Sequence, residues 1–158
     1  MQMYRTQRRG FSLIELVIVV VIIAIIGAIA IPRMSKGAAG AAESAVVGNL
    51  SVLRSALDLY AAEHGGAFPT VANFGNALSM YSDDLGSSFT ATKDASHQLG
   101  PYLRKVPPLP LGTYKNQTGV AAPAAIPPTA EVSTGTVGWQ YDASSGQVWA
   151  NATGYFTY

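Results

Sequence analysis

Glu15 is the residue best placed to do chemistry in this chain, because it is a carboxylate where one is costly. Arg5, Arg8 and Arg9 lead into Gly10-Phe11-Ser12-Leu13-Ile14-Glu15, and the stretch from Leu16 to Ile31 then carries no charge. An acid costs about 3 kcal/mol at the centre of a bilayer, while each Leu, Ile, Val or Phe returns about 0.3–0.6 kcal/mol. The run therefore inserts despite Glu15. As a helix, the 21 residues from Phe11 to Ile31 span about 31 Å, the thickness of a hydrocarbon core. Glu15 lies only about 6 Å along it from Phe11, near one face. A charge held there calls for a cation, so ionic pairing is the chemistry expected of it.

The other polar residues offer less. There is no cysteine, which excludes disulfides, thiol catalysis and thiolate metal sites. His64 falls at a helix end and His97 in a polar stretch. Neither belongs to a recognisable triad, zinc or phosphate motif, and both read as surface residues. Asp83-Asp84 invites a metal reading, but adjacent acids face different ways, and a helix end or turn is expected. Trp139, Trp149, Tyr155 and Phe156 are expected to pack against a helix and not to form a ligand platform. Pro107 to Pro110 has the spacing of a proline-rich ligand and reads as a structural loop. No catalytic residue, metal or cofactor is assigned. A formal charge of +1 without a basic face gives no support to nucleic-acid binding.

The elements that position these residues begin with a helix. Gly27 and Pro32 weaken it within five residues of each other, and Pro32 removes a backbone donor and crowds the preceding turn. They mark either a boundary between two helices or a kink that can unwind. Gly37-Ala38-Ala39-Gly40 adds looseness, though small residues also permit close approach. From Ala41 to His64, Ala42, Val46, Leu50, Leu53, Leu57 and Tyr60 recur at three- and four-residue steps as one apolar stripe. Gly65-Gly66 ends the helix and Pro69 keeps it ended. Phe11 to His64 thus reads as one long, kinked helix of about 80 Å.

Beyond it, Val71 to Leu85 holds a short helix with Phe74, Leu78 and Tyr81 on its apolar side. Gly112 to Ala130, rich in Pro, Ala, Thr and Gly, reads as an exposed loop. Val137, Trp139 and Tyr141 alternate, Asp142 to Gly146 can turn, and Val148 to Asn151 can return as a second strand. Arg5, Arg8 and Arg9 before the apolar run, against Arg33 and Lys36 after it, place the amino terminus in the cytoplasm and the rest outside. Two plainer readings stay open: a secretory signal peptide cut after Ala28-Ile29-Ala30, and a simple anchor whose Glu15 snorkels to the headgroups.

Gly10-Phe11-Ser12-Leu13-Ile14-Glu15 followed by an aliphatic helix resembles the processing site of class III prepilins, the type IV pilins and the pseudopilins of type II secretion. The resemblance implies that a prepilin peptidase cuts between Gly10 and Phe11 and methylates the new amine of Phe11. It also implies an α+β pilin-like fold, a long amino-terminal helix packed on a small antiparallel sheet. Cleavage would turn the Phe11 amide into an amine with a reference pKa near 8. About 4 Å from Glu15, that charge gains roughly 4 kcal/mol at an effective dielectric near 20. Within one straight helix the two groups sit a full turn apart and point differently. A neighbouring subunit's Phe11 would meet Glu15 more directly and set axial register.

Two further stretches sharpen the resemblance. Leu53 to Pro69 resembles the helix end of major-type pseudopilins, and Gly100-Pro101-Tyr102-Leu103 with Val106 to Pro110 is again pseudopilin-like. The carboxy-terminal disulfide of many type IV pilins cannot form here. The acid-rich calcium loop of major pseudopilins is matched only by Asp142, with Glu131 far upstream, so no calcium site is carried over.

The resulting expectation divides the chain into a cleaved leader (1–10), a transmembrane and assembly helix (11–31), an amphipathic continuation (32–66) and a globular region (67–158). The last two are long enough for one modest core. The leader holds three of the ten cations, so the processed chain keeps seven against nine acids, a formal −2. The expected function is a pseudopilin subunit of a type II secretion system, held by lipid in the inner membrane before assembly. Its globular region would lie in the periplasm, and its partners would be the peptidase, further copies, other pseudopilins and an inner-membrane assembly platform. A type IV pilin for adhesion, motility or DNA uptake is the alternative within the family. A membrane-tethered binding module is the alternative outside it.

Overall fold

An apolar run rich in Val and Ile forms a helix poorly in water, but in hydrocarbon only a helix satisfies its backbone. Here Leu13 to Glu63 forms a single helix, α1. The computed structural model describes residues 10–158, without the side chains of residues 31, 32, 33 and 35. Most of the expected leader, and the ring of Pro32, lie outside the described residues. The α1 assignment runs unbroken through Gly27 and Pro32.

The chain divides between Gly40 and Ala41 into two compact units, and α1 contributes to both. In the first unit, Leu13–Ala30 is long and apolar enough to cross a membrane, and none of that stretch is buried.

In the second unit the expected stripe is the heart of the core. Val46, Leu50, Leu53, Leu57 and Tyr60 are at most 3% exposed, and Ala42 is half-buried. The helix stops where its backbone turns left-handed at Gly65 (φ +65°). The Gly66 N–H then reaches back to the Ala61 carbonyl at 2.7 Å, the wide bond of a Schellman cap. Helix α2 is shorter than expected, Phe74–Ser79. Tyr81 leaves it for strand β1 (Tyr81–Ser82), which pairs antiparallel with β2 (Phe89–Thr90). Backbone bonds between Ser82 and Leu99 draw that segment into extended form, and this tertiary pairing outweighs helical periodicity.

The carboxy-terminal hairpin forms as its alternation implies: β4 (Val137–Asp142) pairs antiparallel with β5 (Gln147–Ala150). A third strand, β3 (Gly119–Ala121), lies parallel to β4, so this sheet is mixed and not wholly antiparallel. That corrects the reading of 112–130 as only an exposed loop, since the segment supplies an edge strand and buries Pro128. Three residues are too few to show a period in sequence. Close approach makes the join possible: a Cβ on Gly138 would lie 2.1 Å from the Gln117 carbonyl oxygen. The α1 stripe, Phe74, Ala77 and Leu78 of α2, Leu109, and Trp139, Tyr141 and Val148 of the sheet form one core.

Candidate assembly segment and the polar clusters

The first unit presents the amino-terminal site openly. Phe11 and Leu13 are each 82% exposed, and Gly10 is exposed beside them. Helix α1 begins only at Leu13, so Phe11 and Ser12 precede its first turn. The Ser12 carbonyl accepts the Leu16 N–H at 3.2 Å, which makes Ser12 the residue that caps the helix. Glu15 stands three positions on, and its Oε2 accepts the Ser12 N–H at 2.9 Å. This is one half of the reciprocal capping box, in which a glutamate at the third position reaches back to the capping residue's amide.

The geometry changes what Glu15 can do. Helical side chains lean toward the amino terminus, and here the carboxylate folds back to within one residue of the Phe11 nitrogen. Phe11 itself precedes α1, which begins only at Leu13. Ser12 takes a role that the apolar run does not announce, and the spacing Ser12-x-x-Glu15 is the signal that finds it. Of the helix-weakening positions, Gly27 has open space around it, since a Cβ there would meet nothing within 4 Å.

Both histidines depart from expectation. His64 is not at the surface: it is 7% exposed and stitches the end of α1 to β1. Its Nδ1 donates to the Tyr60 carbonyl at 2.8 Å, and Nε2 lies 3.0 Å from Ser82 Oγ and 3.1 Å from the Asp83 carbonyl. The ring stacks on Tyr60 with centroids 3.8 Å apart. A polar ring is buried here because each nitrogen finds a partner. His97 is half-buried and sits between Asp94 and Ser88, Nδ1 at 2.8 Å from Asp94 Oδ1 and Nε2 at 2.9 Å from Ser88 Oγ. Sequence scanning misses such a set because its members are spaced by folding, not by a motif.

The acids mostly brace turns. Asp83 accepts from Ser87 Oγ (2.6 Å), Ser87 N–H (2.7 Å) and Ser88 N–H (3.1 Å). These bonds, led by the Ser87 hydroxyl, hold its carboxyl down to about 2. Asp142 is likewise lowered, first by Ser145 and then by Ser144. Glu131 accepts from the Thr153 N–H and hydroxyl. Among the described residues, no three such groups converge as a metal site. Trp139 is fully buried, with its indole N–H on the Pro107 carbonyl, and Trp149 is 6% exposed. Tyr155 and Phe156 are half-buried.

Comparison with known families matches residues 5–31 to the prokaryotic N-terminal methylation motif. No curated protein and no solved structure matches the chain. The matched segment contains Gly10, Phe11, Ser12 and Glu15 and continues through the apolar part of α1.

Proposed function

We propose that this prepilin-type chain, whose class III signal makes it the precursor of a type IV pilin-like or pseudopilin subunit, serves as a pseudopilin of a type II secretion system. Processing by a prepilin peptidase and assembly into a filament follow from the motif. An apolar helix from Leu13 to Ala30 fits a single-pass membrane anchor. The observation that carries the reading is the pairing of that signal with Glu15 held beside the cleavage point.

In this reading the peptidase cuts between Gly10 and Phe11 and methylates the Phe11 amine. The new cation appears next to a carboxylate already oriented toward the amino terminus. A second copy, shifted along the filament axis, presents its own Phe11 amine to Glu15, and the pairing fixes register as the apolar helices pack. Gly27 and Pro32 let α1 bend or unwind during that packing. The work is done by helix association, and the assembled filament pushes exported proteins through an outer-membrane channel. Support for the secretion role comes from the pseudopilin-like stretches Leu53–Pro69 and Gly100–Pro110 and from the absence of cysteine. A type IV pilin shares every amino-terminal feature.

The amino terminus of the protein from cells that also make a prepilin peptidase tests the core of this reading. A chain beginning at methylated Phe11 is expected. One beginning at Ile31 would show signal-peptide cleavage, and an intact Met1 would leave only an anchor. Glu15→Ala should still be cut but should not assemble, and normal filaments from that variant would refute the pairing. Loss of the gene should stop protein export and leave surface pili unchanged. The opposite pattern would assign it to the pili.

A further inference from the structure

Ser88, His97 and Asp94 form a hydrogen-bonded chain that the assembly role does not use. We propose that Ser88 is a nucleophilic serine, activated by His97 and oriented through Asp94, that accepts acyl groups from neutral or cationic esters. The roles follow from the atoms. Asp94 accepts from His97 Nδ1 at 2.8 Å (Oδ1) and 3.0 Å (Oδ2). An ionised carboxylate only accepts, so Nδ1 bears the proton. In the neutral ring Nε2 then holds a lone pair, and it faces Ser88 Oγ at 2.9 Å. That tautomer is the one a general base needs.

The supporting atoms are held as well. Asp94 Oδ1 also accepts the N–H groups of Ser96 (2.8 Å) and His97 (2.9 Å). These contacts, with the His97 side chain leading, keep its carboxyl below the usual range. The His97 side chain is 16% exposed and that of Asp94 51%, while Ser88 is open to solvent. Ser88 is fixed by its neighbours: its N–H meets Asp83 Oδ1, its carbonyl accepts the Asp83 N–H, and Phe89 after it enters β2. An open groove of about 600 Å³ runs along the same two loops, lined by Asp83, Asp84 and Leu85 on one side and Ser96, Gln98 and Leu99 on the other, with Ser88 and His97 outside its lining. Two carboxylates stand in the hydrogen-bonded set around the nucleophile, Asp83 on the Ser88 N–H and Asp94 on His97, and they disfavour anionic substrates, which is why the class is neutral or cationic esters.

The reaction balances without a redox partner. Ser88 Oγ bonds to the acyl carbon, the bond from that carbon to the leaving oxygen breaks, and the hydroxyl proton moves to His97 Nε2. From there it passes to the leaving alkoxide or to solvent. Turnover is a separate matter. The Ser87 and Ser88 N–H groups are already taken by Asp83, so neither is vacant for a developing oxyanion. Attack on the ester and hydrolysis of the acyl-serine both pass through such an oxyanion, so both are slow, and Ser88 acts as a single-turnover acceptor and not as a rapid hydrolase.

The test uses the full-length chain in detergent with p-nitrophenyl acetate. A burst of p-nitrophenolate and an acetyl group located on Ser88 by peptide mass spectrometry are expected. His97→Gln should slow that acetylation by about 10²-fold or more. Ser88→Ala should abolish the burst while leaving the thermal melt of the chain unchanged, which shows that the protein still folds. Asp94→Asn should shift the pH profile of acetylation, as expected of a positioning residue. Acetylation of Ser88 no faster than of Ser55 on the exposed face of α1, or a rate indifferent to His97→Gln, would overturn the proposal.

Discussion

At the residue scale, charge is placed where backbone N–H groups can hold it. Glu15 finds the Ser12 amide, and Asp83 finds two amides and a hydroxyl. The second case predicts a pH dependence. Asp83 titrates near 2 in the folded chain against an ordinary 3.8. A depressed folded value contributes stability that is complete above the unfolded value and lost as pH falls through the folded one. The stability conferred by Asp83 should therefore fade between about pH 4 and pH 2. Acid unfolding followed by circular dichroism should show a flatter profile in that window for Asp83→Asn. An unchanged profile would mean the Ser87 and Ser88 bonds do not persist in solution. His64 gives a second residue-scale expectation. His64→Ala strips partners from the Tyr60 carbonyl and Ser82, and should cost about 1–3 kcal/mol in chemical denaturation. A surface histidine would cost nothing measurable.

At the scale of elements, α1 does two jobs with one backbone. Its first part is apolar all round, and its last part has a single buried stripe. The stripe was visible as a three-and-four-residue period from Val46 to Tyr60, and so was its end at Gly65-Gly66. Leu57→Ala in its middle removes a fully buried side chain and should cost about 2–5 kcal/mol. Leu59→Ala, at a position 56% exposed, should cost far less. Thermal melts of the two variants check the orientation of the stripe directly. Similar losses would mean that α1 is turned differently from the structure. The short strands were not visible in the same way. β1, β2 and β3 have two or three residues each, and nothing that brief carries a period.

At the scale of the molecule, the described core belongs wholly to residues after Ala41, from Val46 to Ala152. A chain reduced to 41–158 is therefore expected to fold, remain soluble without detergent and sediment as a monomer. Aggregation or an unfolded spectrum would show that the second unit needs the first.

The sequence by itself determined the amino-terminal logic. Gly10, Phe11 and Glu15 at their spacing, followed by an apolar run, are local features, and so is the long helix that follows from them. Charge, hydrophobic run length and helical period are properties of neighbours along the chain, so they can be read without a fold. The tertiary structure decided what depends on distant partners. It buried His64 between Tyr60 and Ser82, added β3 to the sheet across Gly138, and set His97 between Ser88 and Asp94. Each of those outcomes rests on hydrogen bonds whose partners are chosen by backbone placement, and placement follows only once the core has packed.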